Sequence, residues 1–222
     1  KWVAERTESF LSDCHGRDHI THAELAVSND GTFLGFKNET IANLGAYASV
    51  FGTVTPTYLF GPCATGVYKM PAAYSNVKAV FTNTAPVDAY RGAGRPEATY
   101  TIERLVEKAA KELGMDKTEI RMKNFPTEFP FQQTLVHSVD SGDYVAGMNK
   151  AKEMSDYQGF EKRRKESEAK GKLRGIGVTS YFEACGIAPS AVVMSLGCGI
   201  GLWESAEVRF NPTGNVTVFS GS

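Results

Sequence analysis

The sequence predicts an α+β fold in which mixed sheets pack against helices. Strand-like and helix-like segments come in blocks along the 222 residues rather than in strict βαβ alternation, which favours this class. Asp30-Gly31 stands between two segments of alternating polarity, a pattern typical of a hairpin turn. Further along, Pro96 opens a long amphipathic segment, as proline often does in the first turn of a helix.

The first block is predicted to be sheet. Residues 23–27 and 32–36 alternate across the turn at 28–31 and should pair as an antiparallel hairpin. Residues 41–50 are expected to continue as strand and loop.

Helices dominate the middle of the chain. Residues 97–113 carry apolar side chains at helical spacing, which predicts one buried stripe. Asp116 and Glu119 form a capping pair for a short second helix that Pro126 should stop. Residues 143–170 are also predicted to be helical, and the mixed acids and bases of their second half indicate a solvated face rather than a binding patch.

Strands return near the end of the sequence. We expect them at 176–184, 202–210 and 215–219, with a turn at 211–214 joining the last two.

Composition narrows the possible partners and compartment. A net charge of −1 argues against nucleic-acid or membrane-surface partners held by bulk electrostatics. No apolar run reaches membrane-spanning length, and no signal peptide opens the chain. The four cysteines are too irregularly spaced for a zinc ribbon or a ferredoxin-type cluster. Two disulfides remain possible, but we expect reduced thiols and a cytoplasmic location.

Three further patterns could suggest a site. Cys14, His15, His19 and His22 are dense enough for a metal site, but His15 and His22 would lie on opposite faces of an extended segment, so we predict no metal ligands there. The glycine-rich stretch 197–201 lacks a following helix, which favours a connector over a phosphate loop.

The acid–thiol pair Glu183 and Cys185 has no histidine nearby in sequence. A buried cysteine beside a carboxylate at a strand end is the better interpretation.

The strongest functional signal is the sequence A-Y-R-G-A-G-R-P-E-A at residues 89–98. Arg91 supplies a planar, permanently charged set of donors, and Gly92 and Gly94 allow positive φ and close approach to a bound group. The helix start that follows favours an anionic or strongly polar ligand. The alternative is a tight turn with Arg91 and Arg95 merely solvated. The stretch matches neither a P-loop nor a dinucleotide fingerprint.

The wider sequence resembles the large subunit of the molybdenum hydroxylases, which include xanthine dehydrogenase, aldehyde oxidoreductase and aerobic carbon monoxide dehydrogenase. The motifs that carry the resemblance are K-W-V-A-E-R-T-E-S-F, G-R-D-H, N-L-G-A-Y, G-V-Y-K-M-P, N-T-A-P-V-D-A-Y-R-G-A-G-R-P-E-A and E-S-A-E-V-R-F-N-P-T-G-N-V-T-V-F-S-G-S. They cover nearly the whole chain and are weakest between residues 131 and 202.

The resemblance implies part of a molybdenum cofactor-binding domain. Residues 1–130 would belong to a first molybdopterin-binding subdomain, 131–175 to a helical connector, and 176–222 to the start of a second subdomain. The family's Phe-Gly loop, Gly-Gln-Gly-His loop and catalytic glutamate have no counterpart here. We therefore expect a fragment that carries one wall of the active site and by itself lacks activity.

The resemblance also implies roles for the loop residues. Arg91 would be catalytic, facing the substrate side of the molybdenum centre, and Gly92, Ala93 and Gly94 would line the cofactor. Gly92 stands where true carbon monoxide dehydrogenases, with A-Y-R-C-S-F-R, have a copper-binding cysteine. Ala93 stands where xanthine dehydrogenases place a phenylalanine, and residues 56–63 lack the arginine of purine-specific members. Carbon monoxide and xanthine are therefore disfavoured as substrates.

The parent protein implied is a hydroxylase that oxidises an aldehyde or an N-heterocycle with oxygen from water. Its cofactor would be molybdenum–molybdopterin in the cytosine dinucleotide form. Iron–sulfur clusters and FAD would lie on partner subunits or domains of a hetero-oligomer. The alternative is a non-catalytic interaction module, or a fragment that folds only beside its partner subunits.

Overall fold

The computed structural model describes residues 1–183, 190–195, 197, 199 and 203–221. They form two compact units, Lys1–Phe182 and Glu183–Ser222. Both units combine short sheets with helices, so the predicted α+β class is confirmed.

A three-stranded sheet forms one layer of the first unit. After a short helix α1 (Arg6–Ser12), strand β1 (His19–Val27) pairs antiparallel with β2 (Phe33–Gly45), and β3 (Ala73–Phe81) pairs parallel with β2. The predicted hairpin is confirmed, although both strands are longer than the sequence suggested. Strand β3 was not predicted.

The tip of this hairpin is held by a residue far along the chain. Asn124 Oδ1 accepts a hydrogen bond of 2.9 Å from Phe33 N, and Asn124 Nδ2 donates to Gly31 O at 2.9 Å. Asn124 is 2% exposed, so its side-chain amide, rather than water, satisfies these two main-chain groups of the turn.

The two helices predicted in the middle of the chain are confirmed, and both contribute side chains to the core beneath the sheet. Gly114 is the C-cap of helix α2 (Arg95–Leu113), and Asp116 is the N-cap of α3 (Lys117–Lys123), where its carboxylate accepts hydrogen bonds from the amides of the first turn. The apolar stripe of α2 enters the main core, where burial of each large side chain contributes about 1.5–3 kcal/mol. The largest fully buried apolar and aromatic side chains of this core are those of Phe33, Tyr68, Ile102, Val106, Ile120 and Phe125.

The connection from β2 to β3 contains a π-helix at Thr55–Leu59 and a 3-10 turn at Gly61–Cys63. This connection lies over the sheet. It also contacts the start of α2, where Phe60 and Cys63 of the connection pack with Ala98 of the helix in a second small core.

The helical prediction for 143–170 is confirmed with one break. Helix α4 (Tyr144–Met154) and α5 (Phe160–Glu168) are separated by a 3-10 turn at Tyr157–Gly159. Asp156 adopts a left-handed φ of 46°, which an α-helix cannot continue through. Before α4, the short strands β4 (Phe131–Gln132) and β5 (Ser138–Val139) pair with each other.

The strand predicted at 176–184 is wrong over the described residues 176–183. The structure assigns neither strand nor helix to these residues. Their alternation arises instead because Val178 and Phe182 pack against the main core. Residue 184 and Cys185 lie outside the described residues.

The second unit contains helix α6 (Ser190–Ser195) and an antiparallel pair of strands, β6 (Ala206–Phe210) and β7 (Val216–Ser220). The pair confirms the last predicted hairpin and its turn at 211–214, although β6 begins later than residue 202, which is itself not described. The glycine-rich stretch 197–201 lies largely outside the described residues, Cys198 included. Within the described part of the chain, no helix is both long and apolar enough to cross a bilayer.

Candidate functional site

Residues 89–94, the arginine loop, lead directly into helix α2. Three successive residues have positive φ: 93° at Gly92, 40° at Ala93 and 92° at Gly94. The turn is closed by hydrogen bonds from Ala93 N to Tyr90 O (2.7 Å) and from Arg95 N to Gly92 O (3.1 Å). The loop is therefore a tight turn of fixed shape.

Both glycines of the loop lie against the chain itself. A Cβ on Gly94 would lie 2.7 Å from Thr55 O and 2.8 Å from Phe60 N, so the loop approaches the main chain of the π-helix closely. A Cβ on Gly92 would lie 2.6 Å from Pro96 Cγ. Only glycine fits at either position without a shift of backbone or ring.

Arg95 supports the loop from inside the protein. It is 8% exposed, and its Nη1 donates to Gly92 O at 3.4 Å and to Ala93 O at 3.5 Å. The alternative interpretation of Arg95 as a solvated side chain is therefore wrong. Burial, and secondarily the charge of Arg95, lowers the pKa of His137, which favours the neutral imidazole. Its Nε2 lies 3.3 Å from Cys63 Sγ.

Arg91, in contrast, is exposed. Its carbonyl oxygen accepts a hydrogen bond from Arg17 Nη2. The main chain of the loop is thus held by two arginines, Arg95 and Arg17, while the third presents its guanidinium at the surface.

A groove of about 900 Å³ runs beside the loop between β1 and α2. His19 lies half-buried in its wall, edge-on to the Phe60 ring at 5.2 Å between centroids. Burial lowers the pKa of His19, although the carboxylates of Glu97 and Asp18 oppose that shift. Arg104 and Tyr100 line the outer part of the groove.

The cysteine and histidines near the first strand are dispersed. Cys14 is exposed, His15 Nε2 lies 3.1 Å from Phe10 O, and His22 Nε2 lies 3.3 Å from Glu24 Oε1. Among the residues that the structure describes, no three His, Cys, Asp or Glu side chains converge as a metal site would require.

Comparison with known proteins places these features in a family. Sequence profiles described as molybdopterin cofactor-binding domain match residues 1–125 and 150–222. The chain belongs to the molybdopterin cofactor-binding domains of the xanthine oxidase family. The family predicted from the motifs is confirmed.

Relatives match this molybdopterin-binding chain along its whole length. The carbon monoxide dehydrogenase large chain of Hydrogenophaga pseudoflava is 37% identical over 230 residues, covering 100% of the chain and 28% of that relative. Quinoline 2-oxidoreductase from Pseudomonas putida 86 superposes with a TM-score of 0.87 at 34% identity, covering 98% of the chain and 28% of the other. A Cu,Mo-CO dehydrogenase structure gives a TM-score of 0.84 at 33% identity, covering 100% and 29%. The chain thus spans about 28% of the length of the carbon monoxide dehydrogenase large chains it matches.

The donors at the arginine loop suit a molybdopterin-type group. Such a group is rich in oxygen and carries phosphate, and the loop offers an exposed guanidinium next to the start of α2, where the helix dipole favours negative charge. The fixed main chain of Gly92 and Ala93 is partly exposed and adds a rigid surface, whereas Gly94 is buried beneath them.

Two features of the site were not predicted from the sequence. One is the π-helix under Gly94, for which the sequence offered no periodic signal. The other is the contact of Arg17 with the loop. The G-R-D-H motif that contains Arg17 was visible as part of the family resemblance, but nothing in the sequence alone indicated what this arginine touches.

Proposed function

We propose that the protein containing this chain is a molybdenum-dependent oxidoreductase that oxidises an aldehyde or an N-heterocycle with oxygen derived from water. The observation that supports this most directly is the exposed Arg91 on a loop of fixed shape, in a chain of the molybdopterin-binding family. The names of its relatives include a quinoline 2-oxidoreductase and carbon monoxide dehydrogenases, which are oxidoreductases of small molecules.

In this proposal Arg91 is the catalytic residue of the chain, and Gly92, Ala93 and Gly94 line the cofactor. Arg91 would orient a polar atom of the substrate and stabilise negative charge that develops on it, since a guanidinium in a fixed place needs no reorganisation during the reaction. The bound molybdenum cofactor would supply the redox chemistry.

Two residues favour the proposed substrate class over the alternatives. Gly92 has no sulfur with which to bind copper, and a side chain there would meet Pro96 Cγ at 2.6 Å. Ala93 offers no ring for stacking on a purine. An open site with a mononuclear molybdenum centre suits aldehydes and varied N-heterocycles, whose electrophilic carbons accept oxygen from water.

The finer assignments are part of the same proposal. We assign residues 1–130 to a first molybdopterin-binding subdomain, 131–175 to a helical connector and 176–222 to the start of a second. We also propose the cytosine dinucleotide form of the cofactor, partner subunits or domains with iron–sulfur clusters and FAD in a hetero-oligomer, and a cytoplasmic location.

Oxygen labelling of the full-length enzyme tests the reaction. A heterocycle such as quinoline is the better probe, because aldehydes exchange their own oxygen with water. Over many turnovers, ¹⁸O-labelled water should give labelled product, because oxygen bound before mixing is used up in the first turnover, and the matched control, ¹⁸O-labelled dioxygen in ordinary water, should give none. Unlabelled product in labelled water would rule out the hydroxylase assignment.

Elemental analysis of the same preparation tests the metal content. We expect molybdenum without copper, and no consumption of carbon monoxide. Copper in stoichiometric amount together with carbon monoxide oxidation would overturn the argument from Gly92.

A further inference from the structure

The tetrapeptide Gly16-Arg17-Asp18-His19 lies beside the arginine loop although the loop is more than seventy residues away in sequence. The residue before it fixes this position. His15 N donates to Pro86 O at 2.8 Å, and Asp88 N donates to His15 O at 2.8 Å. These bonds align the two segments as a short parallel bridge that ends just before the loop.

Gly16 brings the two segments into direct contact. A Cβ at this position would lie 2.7 Å from Tyr90 Cβ, so the absence of a side chain lets Tyr90 lie against the main chain. Tyr90 is the residue immediately before Arg91, and its carbonyl closes the turn of the loop. The close approach therefore acts on the loop itself.

Arg17 has a φ of 62°, a left-handed conformation that is uncommon outside glycine. From this position one guanidinium contacts three parts of the loop and its helix. The Arg17 Cζ atom lies 4.7 Å from the centre of the Tyr90 ring, and Nη2 donates a hydrogen bond to Arg91 O. Arg17 Nε lies 3.7 Å from Oε1 of Glu97, which is in the first turn of α2.

The ion pair with Glu97 gives these contacts a fixed anchor. The Glu97 side chain is only 10% exposed, and its Oε2 is buried with no hydrogen-bond partner among the described residues. A carboxylate so removed from water needs a cation close by, and Arg17 lies within ion-pair distance. The guanidinium is thus held at α2 while it holds the carbonyl of Arg91.

We infer that Arg17 is a positioning residue for Arg91. Arg91 has a long, flexible side chain, so the place of its guanidinium depends on how firmly the main chain of residue 91 is held. Arg17 fixes that carbonyl directly, and Gly16 and Glu97 fix Arg17. The expected effect of Arg17 on turnover rests on the proposed function, whereas its expected effect on the rigidity of the arginine loop does not.

The test uses the full-length holoenzyme and the variants Arg17→Met and Arg17→Lys. Arg104→Met is the matched control, because Arg104 is also an exposed arginine that lines the same groove, but it extends from α2 two helical turns beyond the start of the helix and its guanidinium makes none of the loop contacts described for Arg17. Hydrogen–deuterium exchange of the peptide covering 89–95 reports on the loop without any turnover. We expect exchange about tenfold faster in Arg17→Met, and no change in Arg104→Met.

Steady-state kinetics measure the consequence for the reaction. Loss of positioning should lower kcat by about 10-fold to 100-fold, with a smaller change in KM and with molybdenum content unchanged. A third variant, Arg17→Ala, leaves the place of the arginine side chain empty, and guanidinium ions added to it should restore part of kcat, since the groove of about 900 Å³ can admit them. A general loss of packing would not be rescued in this way.

Each outcome decides the inference. Unchanged exchange in 89–95 in a folded Arg17→Met overturns it, and so does faster exchange with unchanged kcat, because the loop would then not need Arg17 for turnover. If Arg17→Met does not fold, Arg17→Lys provides the same measurements, since lysine keeps the charge near Glu97 but cannot also span Tyr90 and Arg91 O. If the wild-type enzyme oxidises none of the proposed substrates, the proposed function fails while the exchange data still decide whether Arg17 holds the loop.

Discussion

Arg121 and Glu103 form a buried ion pair that joins α3 to α2, with Arg121 Nη2 2.8 Å from Glu103 Oε2 and Arg121 0% exposed. Arg121 Nη1 also donates to Lys117 O at 2.6 Å. The Tyr68 hydroxyl donates to the same carboxylate, and burial together with the charge of Glu103 raises the pKa of that hydroxyl. The pair thus fixes the helix layer on which the arginine loop is mounted.

Arg121→Met should lower the free energy of unfolding by about 3–5 kcal/mol, because it leaves the Glu103 carboxylate buried without its cation. Chemical denaturation of the chain measures the change. Lys108→Met is the control: Lys108 pairs with Glu112 on the surface, where such pairs contribute about 0–1 kcal/mol. Equal losses in the two variants would contradict a structural role for the buried pair.

Gly94→Ala should destabilise the protein by about 3 kcal/mol, since its Cβ would meet main-chain atoms of the π-helix at 2.7–2.8 Å. Gly114→Ala is a matched control. Gly114 also has positive φ, at 65°, but nothing lies within 4 Å of its added Cβ, so only the conformational cost of about 1 kcal/mol remains. Thermal unfolding that shows the same loss for both would disprove the close approach.

The hydroxyl of Tyr157 should lose its proton at a higher pH than an ordinary tyrosine hydroxyl. Burial and the hydrogen bond to Asp116 Oδ2 (3.0 Å) raise the pKa of Tyr157 to about 12. A folded-state pKa above the unfolded value of 10.0 means that this contribution to stability is complete below pH 10 and is lost as pH rises towards 12. The near-ultraviolet absorbance of tyrosinate in wild type and Tyr157→Phe isolates its titration. Asp116→Asn should lower the Tyr157 pKa, and an unchanged midpoint would exclude the carboxylate as a cause.

Arg91→Lys tests the catalytic residue in the full-length enzyme. Lysine keeps the positive charge but loses the planar set of donors, which should cost about 1–3 kcal/mol of transition-state stabilisation. Steady-state kinetics should show the corresponding fall in kcat/KM, whereas Arg104→Lys should leave it unchanged. A wild-type kcat/KM in Arg91→Lys would assign Arg91 a structural role instead.

The features predicted correctly from the sequence are those with local causes. Asp30-Gly31 sets the first hairpin because glycine accepts the turn's positive φ, here 84° at Gly31. Asp116 caps α3 through its neighbours in the chain, and Pro96 marks the start of α2. Such signals act within a few residues and need no knowledge of the tertiary fold.

The features that were missed depend on distant partners. Strand β3 pairs parallel with β2 only after a long connection, so local alternation did not reveal it. Residues 176–183 alternate between apolar and polar side chains as a strand does, but packing of Val178 on the core accounts for this pattern without pairing to another strand. Arg17 reaches the carbonyl of Arg91 across 74 positions, which no spacing rule indicates.

The amide of Asn124 has a consequence for how the protein folds. It bonds to Phe33 N and Gly31 O, 91 and 93 positions earlier, so the hairpin tip gains its last partners only when α3 docks. A contact of such high sequence separation raises the contact order and slows the folding of the domain. The turn's own hydrogen bonds join residues within 28–32, whereas its buried partners come from Asn124, so the hairpin tip is complete only when α3 lies against it.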